Sequence, residues 1–151
     1  MKSKELKMGR LIAVKFEPEE EIIGGLERVC ATHSIRSGVI WGIGALREAE
    51  LITAASTKRL NPQTDVLRGP IEIACAHGNV SLKNGKPAVH LHATLSLLAD
   101  NDAGQRPGVK KTLSTHIARG IVSLTGEFFI LETGALSREL DERIKMFVWK
   151  L

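Results

Sequence analysis

Pro87-Ala88-Val89-His90-Leu91-His92-Ala93-Thr94-Leu95-Ser96-Leu97-Leu98 reads as a half-buried β-strand. Its odd positions, Val89, Leu91, Ala93, Leu95 and Leu97, form an apolar row, and its even positions, His90, His92, Thr94 and Ser96, a polar one. Successive side chains of a strand leave opposite faces, so strict alternation sets one face on a core and the other toward solvent. The polar face carries two imidazoles with alpha-carbons about 6.7 Å apart. At that spacing both can converge on one small ion, as a His-x-His pair does on zinc. Without a third ligand the pair reads as two solvated side chains. A zinc site with an open position uses three protein ligands, and the chain has three further histidines, His33, His77 and His116. His33 falls near the end of a predicted helix, where a cation also suits the helix dipole. His77 lies on the preceding strand. Spacing does not choose among the three.

Working outward, Lys83-Asn84-Gly85-Lys86 precedes this strand. Asn-Gly is a strong hairpin signal because both residues tolerate positive φ. It pairs the His77 strand, residues 69–82, antiparallel with the His90–His92 strand. Towards the N-terminus, residues 1–9 read as a flexible basic lead-in and 10–151 as one domain. Residues 11–16 form a strand, and Pro18 with Glu19, Glu20 and Glu21 opens a helix, since proline and carboxylates suit a first turn. Ile22, Ile23, Leu26, Val29 and Cys30 give that helix one apolar stripe. Gly24 and Gly25 weaken it by roughly 1 kcal/mol each, which a close approach to the sheet would justify.

Residues 37–45 are strand punctuated by Gly38, Gly42 and Gly44. Gly42-Ile43-Gly44 lacks the third glycine of a dinucleotide-binding turn and lies in apolar sequence, so it reads as bulges or bends. Residues 46–55 form a further strand and 56–68 a polar loop. A second polar loop spans 100–112, strand returns at 117–132, and a last strand at 147–151 follows the polar stretch 137–143. Many strands, tight hairpins and one main helix make an α+β domain with a mostly antiparallel sheet.

Composition narrows the function classes. The 151 residues carry 43% hydrophobic and 25% charged side chains, ordinary for a soluble globular chain. Aromatics are 4%, with no tyrosine, so aliphatic side chains fill the core and few rings are available to stack bases. No apolar run approaches the ~20 residues of a membrane span, and no signal-peptide core follows the basic N-terminus. The expected location is the cytoplasm. Cys30 and Cys75 sit in apolar sequence and read as buried thiols. The net charge of +4 is scattered, which supports weak electrostatic contact with nucleic acid at most.

The run from about Arg10 to Glu132 resembles the plants-and-prokaryotes conserved (PPC) domain family. The resemblance rests on Gly38-Val39-Ile40-Trp41-Gly42-Ile43-Gly44-Ala45, Ile71-Glu72-Ile73, Gly78-Asn79-Val80, Asn84-Gly85-Lys86-Pro87, Val89-His90-Leu91-His92, His116 and Thr125-Gly126-Glu127. It implies a compact α+β domain that assembles as a homotrimer, similar in fold to acetolactate decarboxylase, whose zinc is held by a His-x-His pair and a later histidine. By that analogy the metal ligands are His90, His92 and His116. The family's usual Gly-Gly-His-Leu is Ser114-Thr115-His116-Ile117 here, a change in the backbone that aims the third histidine. The AT-hook that accompanies the domain in plants has no counterpart: Gln105-Arg106-Pro107-Gly108 lacks its leading arginine and glycine.

Three functions follow as expectations. The favoured one is a stand-alone, non-catalytic trimeric module of regulatory kind that carries zinc, or another divalent transition metal, for structure or small-ligand sensing. The alternative is a zinc-dependent lyase or decarboxylase acting on a small carbonyl or carboxylate substrate, with Glu127 handling protons or orienting a ligand histidine. The third is DNA association through a basic trimer face.

Overall fold

The computed structural model describes residues 1–54, 62–99 and 108–151. Its elements are β1 (Met8–Phe16), α1 (Ile22–Thr32), β2 (Ser37–Ala54), β3 (Pro62–Lys83), β4 (Lys86–Leu98), β5 (Val109–Thr133), β6 (Arg138–Asp141) and β7 (Met146–Trp149). The first five strands form one sheet in the order β1-β5-β2-β3-β4, and every pairing is antiparallel. Because β5 also pairs with β4, strands β2 to β5 close into a ring. β6 and β7 make a separate hairpin. The architecture is the α+β one that the alternation and hairpin signals predict.

The apolar row of β4 faces inward. Leu91, Ala93 and Leu95 join Ile71, Ile73, Ala76 and Val80 of β3 and Ile117 of β5 in one core. α1 closes the core with Ile22, Leu26 and Cys30. Gly25 is what lets the helix sit so close: a Cβ there would stand 2.3 Å from the Phe16 ring. Phe16 in turn meets Phe128 edge-on. The helix also holds the start of β4, since a Glu27 carboxylate oxygen accepts from Val89 N at 3.0 Å. The Asn84-Gly85 turn has the positive φ the sequence implies, 52° and 78°.

Several boundaries differ from expectation. Glu21 rather than Pro18 caps the helix, accepting from Ile23 N and Gly24 N. Pro18 precedes Glu19, whose φ is +72°, a turn conformation incompatible with a helical first turn. Residues 37–54 form one strand rather than two, with register shifts at Gly42/Gly44 and Leu46/Glu48 absorbing the bend. Of the expected loop 56–68, residues 56–61 lie outside the described residues, while Pro62 to Arg68 pair with β2. Residues 100–107 of the second expected loop are likewise outside them, and β5 is already strand from Val109. β1 begins at Met8, inside the expected lead-in, and Lys7 O accepts from Gly134 N. Among the described residues, no helix is long and apolar enough to cross a membrane.

Candidate metal centre

The polar row of β4 lies on the outer face, opposite the core. His92 pairs with His116 of β5 on one side and with His77 of β3 on the other. His90, two residues on, pairs with Asn79. Three imidazoles therefore converge: the ring centroids of His90, His92 and His116 are 5.1, 4.9 and 5.2 Å apart. One ligand atom from each lies within 4.8 Å of the others. His90 Nε2 and His92 Nε2 are 3.1 Å apart. Two nitrogens bound at 2.0–2.1 Å to a tetrahedral ion stand roughly 3.3 Å from each other, so this pair is already at ligand spacing. The donor set fits a borderline-soft divalent ion such as zinc, and the ligand atom of the third ring lies within 4.8 Å of the other two.

Neighbours fix the strands that carry these rings. Thr94 and Ser114 share a hydroxyl hydrogen bond of 2.8 Å, and Ser96 and Thr112 one of 3.3 Å. The Thr115 hydroxyl donates to Ile52 O at 2.9 Å. Ser114 and Thr115 thus tie β5 to β4 and β2 just before His116, and the third histidine reaches the pair without the family's two glycines. On the other side β3 approaches closely because residue 78 has no side chain: a Cβ there would meet His90 O at 2.2 Å. That atom is backbone and cannot swing away. Gly78→Ala is therefore expected to push β3 from β4 at His90, costing about 1–3 kcal/mol as an overpacking change and lowering metal affinity. Thermal unfolding and a metal titration of the variant check both effects.

Burial lowers the His90 pKa to about 4, with the charges of His116, Arg138 and His92 adding to it. Burial, followed by His92, also lowers that of His116. Both rings are thus held as neutral imidazole, the form that binds a metal. The linkage has a definite sign: the unfolded chain, with histidine near 6.5, binds more protons than the folded one at acid pH, so acid destabilises the fold. The metal-free protein is expected to lose stability from about pH 6.5 down towards 4, and His90→Asn to flatten that slope. Melting temperatures across this range test it; identical slopes contradict it.

The remaining candidates lie elsewhere. His77 is exposed beside His92 but outside the three-imidazole grouping. His33 caps α1, and its carbonyl accepts from Arg10. Glu127 is exposed and pairs with Lys15 and Ile43. It stands eleven residues beyond His116 along β5, roughly 36 Å of strand path. Glu127 therefore lies outside the three-imidazole grouping. Both cysteines are free, but only Cys30 is buried; Cys75 is exposed, on the outer face opposite Thr94. The β-bulge between Ile73 and Cys75 turns it outward. Burial raises the Cys30 thiol to about 11, so it stays protonated. Sequence reading missed Asn79, although the alternation through His77 places it on the same face. It also missed Arg138, which reaches Asn79 across 59 residues of sequence and gives no local signal.

Comparison with known proteins agrees with this fold. The metal-containing protein of Archaeoglobus fulgidus is 25% identical, with a TM-score of 0.83 and all of both chains covered. A PPC protein of Pyrococcus horikoshii is 25% identical with a TM-score of 0.81, covering 100% of this chain and 98% of the other. A candidate DNA-binding protein of Bacteroides thetaiotaomicron is 24% identical with a TM-score of 0.80 and covers 96% of each chain. No curated protein matches the chain. The pattern of the Plants and Prokaryotes Conserved (PCC) domain matches residues 3–134, and with the fold and the outer-face histidines in view, the chain belongs to that family.

Proposed function

We propose that this chain is a homotrimeric module that holds zinc through His90, His92 and His116 and serves regulation or small-ligand sensing. The observation that carries the reading is the meeting of three imidazoles, from β4 and β5, within 4.8 Å of one another. Held by three protein ligands, zinc keeps an open position for water or a ligand atom. The site lies on an exposed sheet face flanked by hydroxyls, and the candidate proton-handling residue, Glu127, is remote. Ligand holding therefore fits better than bond breaking. Titration with zinc at pH 8 is expected to saturate at one ion per chain; a chain that takes up none contradicts the reading.

Assembly is supported by what lies beside the histidines. Phe129, Trp41, His77, His92 and His116 follow one another across the strands in register. The apolar end of that row is open to solvent: Leu11, Val39, Ile43 and Phe129 are 57%, 44%, 54% and 40% exposed, and Trp41 stacks on Phe129. A contiguous apolar patch of this kind marks an interaction surface. A closed trimer covers it with copies of itself and sets the metal site beside the interface.

DNA association is the second reading. It rests on the net charge of +4 per chain, hence 3 × 4 = +12 for a trimer. Fluorescence anisotropy with duplex DNA is expected to show weak binding at 50 mM salt that vanishes at 200 mM. No binding at the lower salt removes this reading and leaves the zinc one untouched.

A further inference from the structure

Arg138 lies beyond the residues that match the family pattern, on the C-terminal hairpin, yet it is anchored against the histidine face. Its Nη2 donates to Asn79 Oδ1 at 2.6 Å, its Nε to Ser81 Oγ at 2.8 Å and its Nη1 to Phe147 O at 3.2 Å. Ser81 is fully buried, and Asn79 is the cross-strand partner of His90. Lys83 over the Phe147 ring and the Leu82 N to Leu136 O hydrogen bond hold the same hairpin against β3. The guanidinium is therefore a fixed positive charge bound to the residue that stands opposite the first histidine.

That placement has an electrostatic consequence for a bound ion. Three neutral imidazoles leave both charges of a divalent metal uncompensated, and arginine cannot lose its own. The three-histidine grouping contains no carboxylate. The acidic residues nearest in register, Glu50 opposite Arg119 and Glu72 opposite Ser96, lie outside that grouping. A cation held next to a metal opposes the metal unless an anion joins them.

We propose that Arg138 makes the open position of this centre an oxyanion site, which takes a small carboxylate or phosphate as the metal's further ligand. The inference rests on the three-histidine metal reading and names its ligand class. Arg138 is a specificity-determining residue: it acts through its charge and its anchored position.

The test uses the full chain loaded with cobalt(II), whose visible spectrum reports changes in coordination. Acetate, inorganic phosphate and neutral imidazole are titrated separately, so that the first two arms distinguish carboxylate from phosphate. Arg138→Gln is expected to weaken both anions at least about tenfold while imidazole affinity stays within about twofold. Arg138→Lys, which keeps the charge, should stay within about threefold for the anions. Should the glutamine variant lose its hairpin, Asn79→Asp serves instead: it leaves the guanidinium anchored but neutralised, and the same anion-selective loss is expected. Anion affinities equal to wild type in these variants, or a parallel loss for imidazole, overturn the proposal. A wild-type chain that binds no cobalt overturns the metal reading itself and this inference with it.

Discussion

His92→Ala is expected to lower zinc affinity several hundredfold and to leave the fold intact. A structural zinc site draws about 10–16 kcal/mol from its ligands. One ligand of three or four thus carries roughly 3–4 kcal/mol, which is about 150- to 700-fold in Kd. His92 is exposed on the outer face, so its truncation costs stability only about 0.5 kcal/mol or less. The contrast between a large binding loss and a small stability change identifies a ligand. His33→Ala and His77→Ala are the controls, since neither ring belongs to the grouping. A competition titration against a chromophoric chelator measures all three; equal losses at His92 and His77 would assign the site wrongly.

The second large effect concerns assembly. Phe129→Arg is expected to convert the proposed trimer into monomer. Phe129 is 40% exposed, so covering the rest of it contributes about 0.6–1.2 kcal/mol of the 1.5–3 for full burial, and a trimer repeats that contact at three equivalent places. The substitution removes it and asks each interface to bury a guanidinium without a partner, which adds several kcal/mol of desolvation. Phe129 is already partly exposed, so the isolated chain tolerates the change. Light scattering decides, with one chain's mass expected for the variant and three for the wild type. A trimeric variant would move the interface to another face.

The parts of the fold that were legible in the sequence are those where one physical rule acts alone. Alternation over residues 87–98 survives because the core covers one face of β4 and leaves the other open. Asn84-Gly85 is legible because few residue pairs accept positive φ twice in succession. The helix stripe is read correctly, but its start is displaced: Glu21 has the side-chain geometry to cap, and the local proline rule loses to it. β2 and β3 look broken in sequence because glycine bulges and exposed polar residues interrupt the pattern. Cross-strand pairing, a non-local effect, restores them. Cys75 reads as buried for a related reason, since a one-residue bulge flips the faces of everything beyond it.

The site divides along the same line. The His-x-His pair is local and visible, and His116 emerged from family resemblance while spacing left three candidates. Pairing of β4 with β5 is what puts His116 opposite His92, and no local pattern encodes that register. Glu127 is a candidate on chemistry alone, with no register argument behind it, and it lies eleven residues beyond His116 along β5. Arg138 depends on a contact between the terminal hairpin and β3, which only the folded chain displays.

Zinc-edge X-ray absorption on the loaded protein tests the central claim most directly. Three imidazole nitrogens at about 2.0–2.1 Å, with the outer-shell scattering of three rings, is the predicted result. A sulfur at about 2.3 Å, or the scattering of fewer than three rings, would contradict the assignment of His90, His92 and His116 as the ligands.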